Sequence, residues 1–238
     1  MSEERNTEYK MNTKQWLENF WYHYKWHTVV ALFLIFTITI CSFQFCQRPD
    51  FDVYIMYAGG TELKKTSDGG DTPEYVKAVS SLSRYAEDYD RNGEVLPTLL
   101  TLFLPSEEEI EAIKADGKDV NYALIFDDKN TLSNNMTYSK YYLCLLSESL
   151  FLNYTSNEAV AFDKISDYAT EGAEYEFVGE YGVRLSSLPI YSRDGIRNLP
   201  ADTVVCIRRL GAVSTRFDSD QQTAYERAGT LLRELMKK

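Results

Sequence analysis

The sequence predicts an α/β fold: an N-terminal transmembrane helix, then one globular domain with a mainly parallel or mixed sheet flanked by helices. Three observations support it. An uncharged apolar run fills residues 28–46, short segments of alternating apolar and polar residues recur beyond residue 50, and helix-start signals separate those segments. Strands that alternate with helices favour such a covered sheet. The 238 residues suit one domain with an appendage.

The charge divides the chain into pieces of different chemistry. Residues 1–46 hold four basic and four acidic residues, so the whole net charge of −11 lies in residues 47–238. We expect a cytoplasmic and interfacial aromatic segment over residues 1–27, a transmembrane signal-anchor helix over residues 28–46, and an extracytoplasmic α/β domain over residues 47–238. Such an acidic domain lacks the clustered Lys and Arg that bind phosphates, so we expect no nucleic-acid partner.

The apolar run from Thr28 to Cys46 is long enough to span a membrane. As a helix it measures about 28 Å, against about 30 Å for the hydrocarbon core of a bilayer. The alternative is a buried helix of a soluble protein, which the terminal position of the run disfavours. No small-residue cleavage site follows the run, so we interpret it as an uncleaved anchor.

The flank before the run is aromatic. It holds all three tryptophans of the chain, Trp16, Trp21 and Trp26, and such rings favour the headgroup level of a bilayer. Lys and Arg near the run are more frequent on its N-terminal side. This bias predicts a single-pass protein of the cell membrane whose N-terminus is cytoplasmic and whose C-terminal domain lies outside.

The first elements of the domain follow from alternation and capping. The segment from Phe51 alternates as a strand and ends at Gly59-Gly60. Thr72-Pro73 starts a helix that we expect to reach Asp88 and to bury Val76, Val79, Leu82 and Tyr85. A strand follows over residues 94–105, and its Pro97 indicates a sheet edge or a bulge.

The remaining elements are predicted in the same way. Ser106 and Glu109 form a capping-box pattern, which starts a helix that stops at Asp116-Gly117. Residues 120–128 alternate like a strand, or form a half-buried connection. We further expect a strand over 141–147 with a helix behind it, irregular strand and loop over 175–191, a strand over 203–210 and a final helix over 218–238.

The predicted extracytoplasmic domain lacks the residues that most catalytic mechanisms require. Both histidines, His23 and His27, lie in the aromatic flank, and no phosphate-binding glycine motif or Gly-x-Ser-x-Gly motif occurs. The domain therefore lacks the material for His-dependent nucleophilic catalysis or His-ligated zinc. We expect no enzyme and no catalytic residue. A carboxylate-dependent hydrolase stays open, because the domain has 32 acidic residues.

The sharpest motif is the first half of a calcium loop. Asp88, Asp90 and Asn92 stand at positions 1, 3 and 5, Gly93 stands at position 6, and Glu94 offers its carbonyl at position 7. Position 12 departs from the pattern, because it is Leu99 and not a bidentate carboxylate. The alternative to a Ca²⁺ site is an Asn-Gly turn between a helix and a strand.

Two further features bear on function. Gly59 and Gly60 end a strand, and a ligand pocket at the carboxyl ends of the strands would lie beside them. Cys144 and Cys206 fall in predicted strands, and the sequence leaves open whether they are bonded, with two separate buried thiols the favoured interpretation.

We expect a membrane-anchored interaction module, accessory to a membrane or envelope protein complex. The alternative is a solute- or peptide-binding domain.

The aromatic block over residues 20–27 runs straight into the apolar span, and Asp90-Arg91-Asn92-Gly93 forms an Asp-x-Asn-Gly loop. In these two features the chain resembles uncharacterised single-pass membrane proteins of Gram-positive bacteria that carry an extracytoplasmic α/β domain. The resemblance covers about forty residues. It implies the membrane topology and no catalytic residues.

Overall fold

The structure is a computed structural model that describes residues 12–46, 51–63, 71–156, 162–211 and 219–237. The chain divides into two units, residues 1–49 and 50–238. The helices are α1 Thr13–Cys46, α2 Pro73–Ser83, α3 Glu107–Ala115, α4 Tyr122–Tyr138, α5 Glu148–Ser156 and α6 Ser219–Leu235. The strands are β1 Val53–Gly59, β2 Pro97–Phe103, β3 Leu143–Leu146, β4 Phe177–Val178, β5 Gly182–Arg184 and β6 Val204–Ile207.

Helix α1 is one continuous helix of 34 residues that joins the aromatic flank to the apolar run. Within residues 13–43, an 18-residue window has a mean hydropathy of 2.0, as in a membrane span, and none of that window is buried inside the protein. Trp16, Trp21 and Trp26 are all more than half exposed. The helix is thus compatible with a membrane anchor.

The second unit is built on a mixed sheet of six strands in the order β2-β1-β3-β6-β5-β4. Strands β2, β1 and β3 are parallel, whereas β6, β5 and β4 each pair antiparallel to their neighbours. The α/β fold with a mixed sheet is therefore confirmed. Pro97 opens an edge strand, as expected, because a proline cannot donate to a second neighbour.

Both faces of the sheet are covered, which explains why β1 is apolar nearly throughout. Its residues alternate between two clusters: Ile55 and Tyr57 pack towards α2 and α6, while Met56 and Ala58 pack towards α4 and α5. The contribution of α6 to the first cluster is Ala224, Ala228, Leu231, Leu232 and Leu235. This spacing of three and four residues makes one face of a helix apolar.

Residues 120–128 contain no strand, so that prediction is wrong. They begin α4, and Asn121 caps it by accepting a hydrogen bond from the Leu124 N–H at 3.1 Å. The residues that α4 buries are Asp128, Leu132 and Met136, spaced by four. That helical spacing starts only at the last of the nine residues whose alternation indicated a strand.

The structure also corrects the prediction for α2, which ends at Ser83 and not at Asp88. Its Val76 is 53% exposed, whereas Leu82 is buried as expected. Beyond the helix, the Tyr89 N–H is held by the Asp52 carboxylate at 2.8 Å. The strand expected over residues 203–210 is shorter, Val204–Ile207, and lies inside the sheet between β3 and β5.

Candidate functional site

A crevice of about 740 Å³ opens where the three parallel strands end. Gly60 follows β1, Ser106 precedes α3 after β2, and Ser147 precedes α5 after β3, and all three line the crevice. In open α/β sheets this is the position at which ligands bind, because the loops between strand and helix diverge there. The crevice lies at the end of β1 opposite the point where the chain enters the unit.

The local sequence explains how the walls are held. The Ser106 hydroxyl accepts a hydrogen bond from the Glu109 N–H at 3.2 Å, and the Glu109 carboxylate accepts one from the Ser106 N–H at 2.7 Å. This capping box fixes the start of α3, as predicted. Opposite it, the Ser147 N–H bonds to the Ala58 carbonyl at 2.9 Å, which extends the pairing of β1 with β3 to the first turn of α5.

The crevice is strongly acidic. Five carboxylate residues line it, and none of the described lining residues is basic: the acidic residues are Glu107, Glu108, Glu109, Glu148 and Asp202. The N-termini of α3 and α5 each contribute a partial positive charge of about 0.5. Two such termini offset about one of the five negative charges, so the crevice keeps a negative potential.

The negative charge of the crevice affects two neighbouring residues, Arg184 and Tyr57. Arg184 reaches Glu148 at 2.9 Å and also pairs with Glu176, so one carboxylate of the wall is partly neutralised. Burial raises the pKa of the Tyr57 phenol, and the charges of Glu109 and Asp202 raise that pKa further. The hydrogen bond from the Thr61 N–H, at 3.2 Å, acts in the opposite direction.

The two glycines singled out in the sequence have different positions. Gly60 lines the crevice, and a Cβ atom there would lie 2.1 Å from Glu109 Oε1. The absence of a side chain at Gly60 therefore allows the Glu109 carboxylate to lie against the backbone. Gly59 is the last residue of β1 and is buried; its carbonyl accepts the Leu104 N–H at 2.8 Å. Residues 64–70 of the adjoining loop lie outside the described residues.

The predicted calcium loop is an ordered turn in the structure. Asp88 accepts the N–H groups of Asn92 and Gly93 at 3.2 and 2.9 Å, and Asn92 Oδ1 accepts the Glu94 N–H at 2.7 Å. Arg91 and Gly93 have positive φ angles of 58° and 90°, which the tight curl of the loop requires. Leu99 is buried in β2 and cannot be a ligand.

The structure adds a carboxylate that the motif did not contain. Carboxylate oxygens of Asp52, Asp88 and Asp90 lie within 4.8 Å of one another. Asp52 is only 2% exposed and accepts the N–H groups of Tyr89 and Leu96, both at 2.8 Å. Asp52 could not be recognised from the sequence. It precedes β1 by one residue, and only the parallel pairing of β1 with β2 brings it to the loop.

The charge of the loop is stabilised by its own backbone. The pKa of Asp88 is lowered, chiefly by the hydrogen bond from Gly93 and further by hydrogen bonds with Asp90, Arg91 and Asn92. Three carboxylates with an amide oxygen and a backbone carbonyl nearby form the type of oxygen set that Ca²⁺ prefers. Asn92 and Glu94 stay predicted ligands, Glu94 through its carbonyl.

Comparisons with protein-family models, with curated proteins and with solved structures returned no match to this chain.

Proposed function

We propose that this protein is a membrane-anchored extracytoplasmic binding module, accessory to a membrane or envelope complex, with its N-terminus in the cytoplasm. The long apolar helix α1 supports an anchor in the lipid bilayer. The bias of Lys and Arg towards the N-terminal side of the span supports the orientation. The lack of a histidine in residues 47–238 supports binding without turnover.

The contact site of this module is the acidic crevice, and the observation that carries this assignment is its position. It lies at the carboxyl ends of β1, β2 and β3, and it is walled by the first turns of α3 and α5. The excess of carboxylates selects the ligand. A crevice of one charge sign concentrates ligands of the opposite sign and repels like charges. The preferred occupant is therefore a positively charged segment of a partner protein.

The experiment compares two triple variants of the full chain in lipid nanodiscs. Glu107→Gln, Glu108→Gln and Asp202→Asn remove three of the five carboxylates of the crevice without touching the capping box or the Arg184 pair. Asp167→Asn, Glu171→Gln and Glu174→Gln make the same change in charge at exposed residues that do not line the crevice. The probe is a lysine-rich peptide. We expect the crevice variant to weaken binding at least tenfold, and the control variant to leave it within twofold.

The two triple variants separate binding in the crevice from general attraction to an acidic protein. Added salt screens exposed charges over a distance of about 8 Å at physiological ionic strength, so affinity for the peptide falls as salt rises. Equal losses in the two triple variants would contradict the crevice as the site. Hydrolysis of a glycan by the purified protein, abolished in the crevice variant, would contradict binding without turnover.

A second candidate function is the binding of a small cationic solute or peptide. The crevice volume of about 740 Å³ supports it, because small-molecule sites usually measure about 300–1,000 Å³. Surface crosslinking in cells distinguishes the two functions. A crosslinked membrane protein that the crevice variant loses supports the interaction module, whereas binding of free spermidine with no captured protein supports the solute-binding domain.

We also propose that the loop around Asp88 binds Ca²⁺. The support is the approach of Asp52 to Asp88 and Asp90, because this carboxylate takes the place of the ligand that Leu99 cannot supply. Sites with few charged ligands bind Ca²⁺ in the range of about 10⁻⁴–10⁻³ M, which is typical of extracellular modules.

A further inference from the structure

The two cysteines of the second unit face each other across the sheet. Cys144 of β3 and Cys206 of β6 are direct partners in the antiparallel register. Both are fully buried free thiols. The chain holds four cysteines, and the other two, Cys41 and Cys46, lie in α1. The pair that the second unit contains is therefore brought together from positions 62 residues apart.

The Cα spacing expected for this pair lies within the range of disulfides. The Arg208 N–H bonds to the Tyr142 carbonyl at 2.9 Å, so residues 142 and 208 are a hydrogen-bonded pair of the ladder. Because such pairs alternate, Cys144 and Cys206 form the next hydrogen-bonded pair. Cα atoms in these pairs lie about 5.5 Å apart, inside the range of about 4.4–6.8 Å that disulfides span.

The side chains point to the same face of the sheet. Both cysteines belong to the cluster that includes Met56, Leu146 and Val204. Burial raises the pKa of the Cys206 thiol well above its usual value, and the neighbouring Cys144 contributes to this shift. Both thiols thus lie in one buried apolar cluster, on the same face of the sheet.

We infer that Cys144 and Cys206 form a disulfide that joins β3 to β6. The inference rests on the proposed location outside the membrane, where disulfides persist. One cysteine thiolate attacks the disulfide of a small-molecule or protein oxidant and releases a thiol, which leaves a mixed disulfide. The second cysteine thiolate displaces the remaining thiol. The cysteines lose two protons and two electrons, and the oxidant becomes two thiols.

The bond forms before the sheet closes, because both thiols are inaccessible in the folded unit. It also secures the crevice. Ser147 follows β3 by one residue and Asp202 precedes β6 by two, and both line the crevice. The disulfide therefore joins two strands that are each followed or preceded by a lining residue of the crevice.

The test uses the full chain with Cys41→Ala and Cys46→Ala, expressed in a membrane and quenched with acid. The denatured protein is treated with a maleimide before or after reduction, and its mass is measured. We expect no maleimide adduct before reduction and two after it. Adding Cys144→Ala or Cys206→Ala to this chain leaves one free thiol, which reacts without reduction and controls for access of the reagent.

A second measurement is the thermal unfolding midpoint. A disulfide that closes a loop of this length restricts the unfolded chain, so a reductant lowers the midpoint by about 10 °C. It leaves the midpoint unchanged when both Cys144 and Cys206 are alanine. Two maleimide adducts without reduction would overturn the inference. Protease accessibility in the same cells then shows whether the proposed location fails as well or only the bond does.

Discussion

Arg208 is a buried residue that supports the C-terminal end of α4. Its guanidinium donates to the carbonyls of Met136 and Thr137 at 3.1 and 3.4 Å and to that of Ser139, at the C-terminal end of α4. It also lies 4.4 Å from the centre of the Tyr142 ring. A cation at this end of a helix complements the helix dipole and supplies donors for carbonyls that have no partner in the helix.

Arg208→Ala is expected to destabilise the protein by about 3–5 kcal/mol, because it leaves buried carbonyls without donors and removes a packed side chain. Arg209→Ala is the matched control. Its side chain is 53% exposed and pairs with Asp163 at 3.0 Å, so the expected loss is about 1 kcal/mol or less. Urea unfolding in a fixed detergent measures both. Equal losses would mean that Arg208 does not hold the end of α4.

The acidic loop gives a second prediction at the residue scale. We expect millimolar Ca²⁺ to raise the thermal unfolding midpoint. Binding to the folded state alone stabilises that state by about 1.4 kcal/mol when the Ca²⁺ concentration is ten times Kd. Asp52→Asn and Asp88→Ala abolish the rise, Glu94→Gln preserves it because only the carbonyl is used, and Mg²⁺ does not reproduce it. An unchanged midpoint in the parent chain would reduce the loop to an Asn-Gly turn.

The pH dependence of the same loop follows from the lowered pKa of Asp88. A carboxylate whose pKa is lower in the folded state stabilises that state above its ordinary pKa of 3.8, and this effect is lost as pH falls through the lower folded value. We therefore expect the Gly93 amide, which bonds to Asp88 at 2.9 Å, to keep its NMR shift at pH 5 and to change only below about pH 4. A change centred above pH 4 would contradict the lowered pKa.

At the scale of elements, one glycine determines how closely the chain approaches α2. Gly195 has a φ of 85°, and a Cβ atom there would lie 2.3 Å from the backbone nitrogen of Ala78 in α2. Nearby, the Ser81 hydroxyl donates to the Asp194 carbonyl at 2.8 Å. The contact therefore depends on the absence of a side chain at residue 195.

Gly195→Ala is expected to cost about 2–4 kcal/mol, because about 1 kcal/mol of backbone strain adds to the cost of displacing a helix backbone. Gly172→Ala separates the two effects. Gly172 has a similar φ of 80°, but no atom lies within 4 Å of the Cβ position, so only the strain of about 1 kcal/mol remains. If both variants lose the same stability in urea unfolding, the contact with α2 has no energetic role.

For the whole molecule, we predict that the second unit lies on the outer side of the membrane. Protease added to intact cells stripped of wall is expected to remove residues beyond 50 and to leave a stub that contains α1, because the Lys and Arg bias places the N-terminus inside. A cytoplasmic marker protein should survive the same treatment. Protection of the C-terminus would contradict the proposed orientation.

Features that depend on neighbours along the chain could be predicted from the amino-acid sequence. The apolar run of α1, the capping box at Ser106, the alternation that starts at Phe51 and the short apolar run over residues 141–147 are local signals, and a helix or strand lies at each of them. Local signals failed at residues 120–128, because the buried positions of α4, spaced by four, start only at Asp128. They also overextended α2, which ends at Ser83.

Which distant residues meet depends on the pairing of the strands. The strand order brings Asp52 to Asp88, Cys144 opposite Cys206, and the first turns of α3 and α5 to one crevice. Pairing between strands is non-local: a shift in register by one residue would turn each side chain to the other face, and nothing near Cys144 along the chain encodes its partner. The candidate sites of this protein are therefore properties of the sheet, whereas its anchor is a property of one continuous segment.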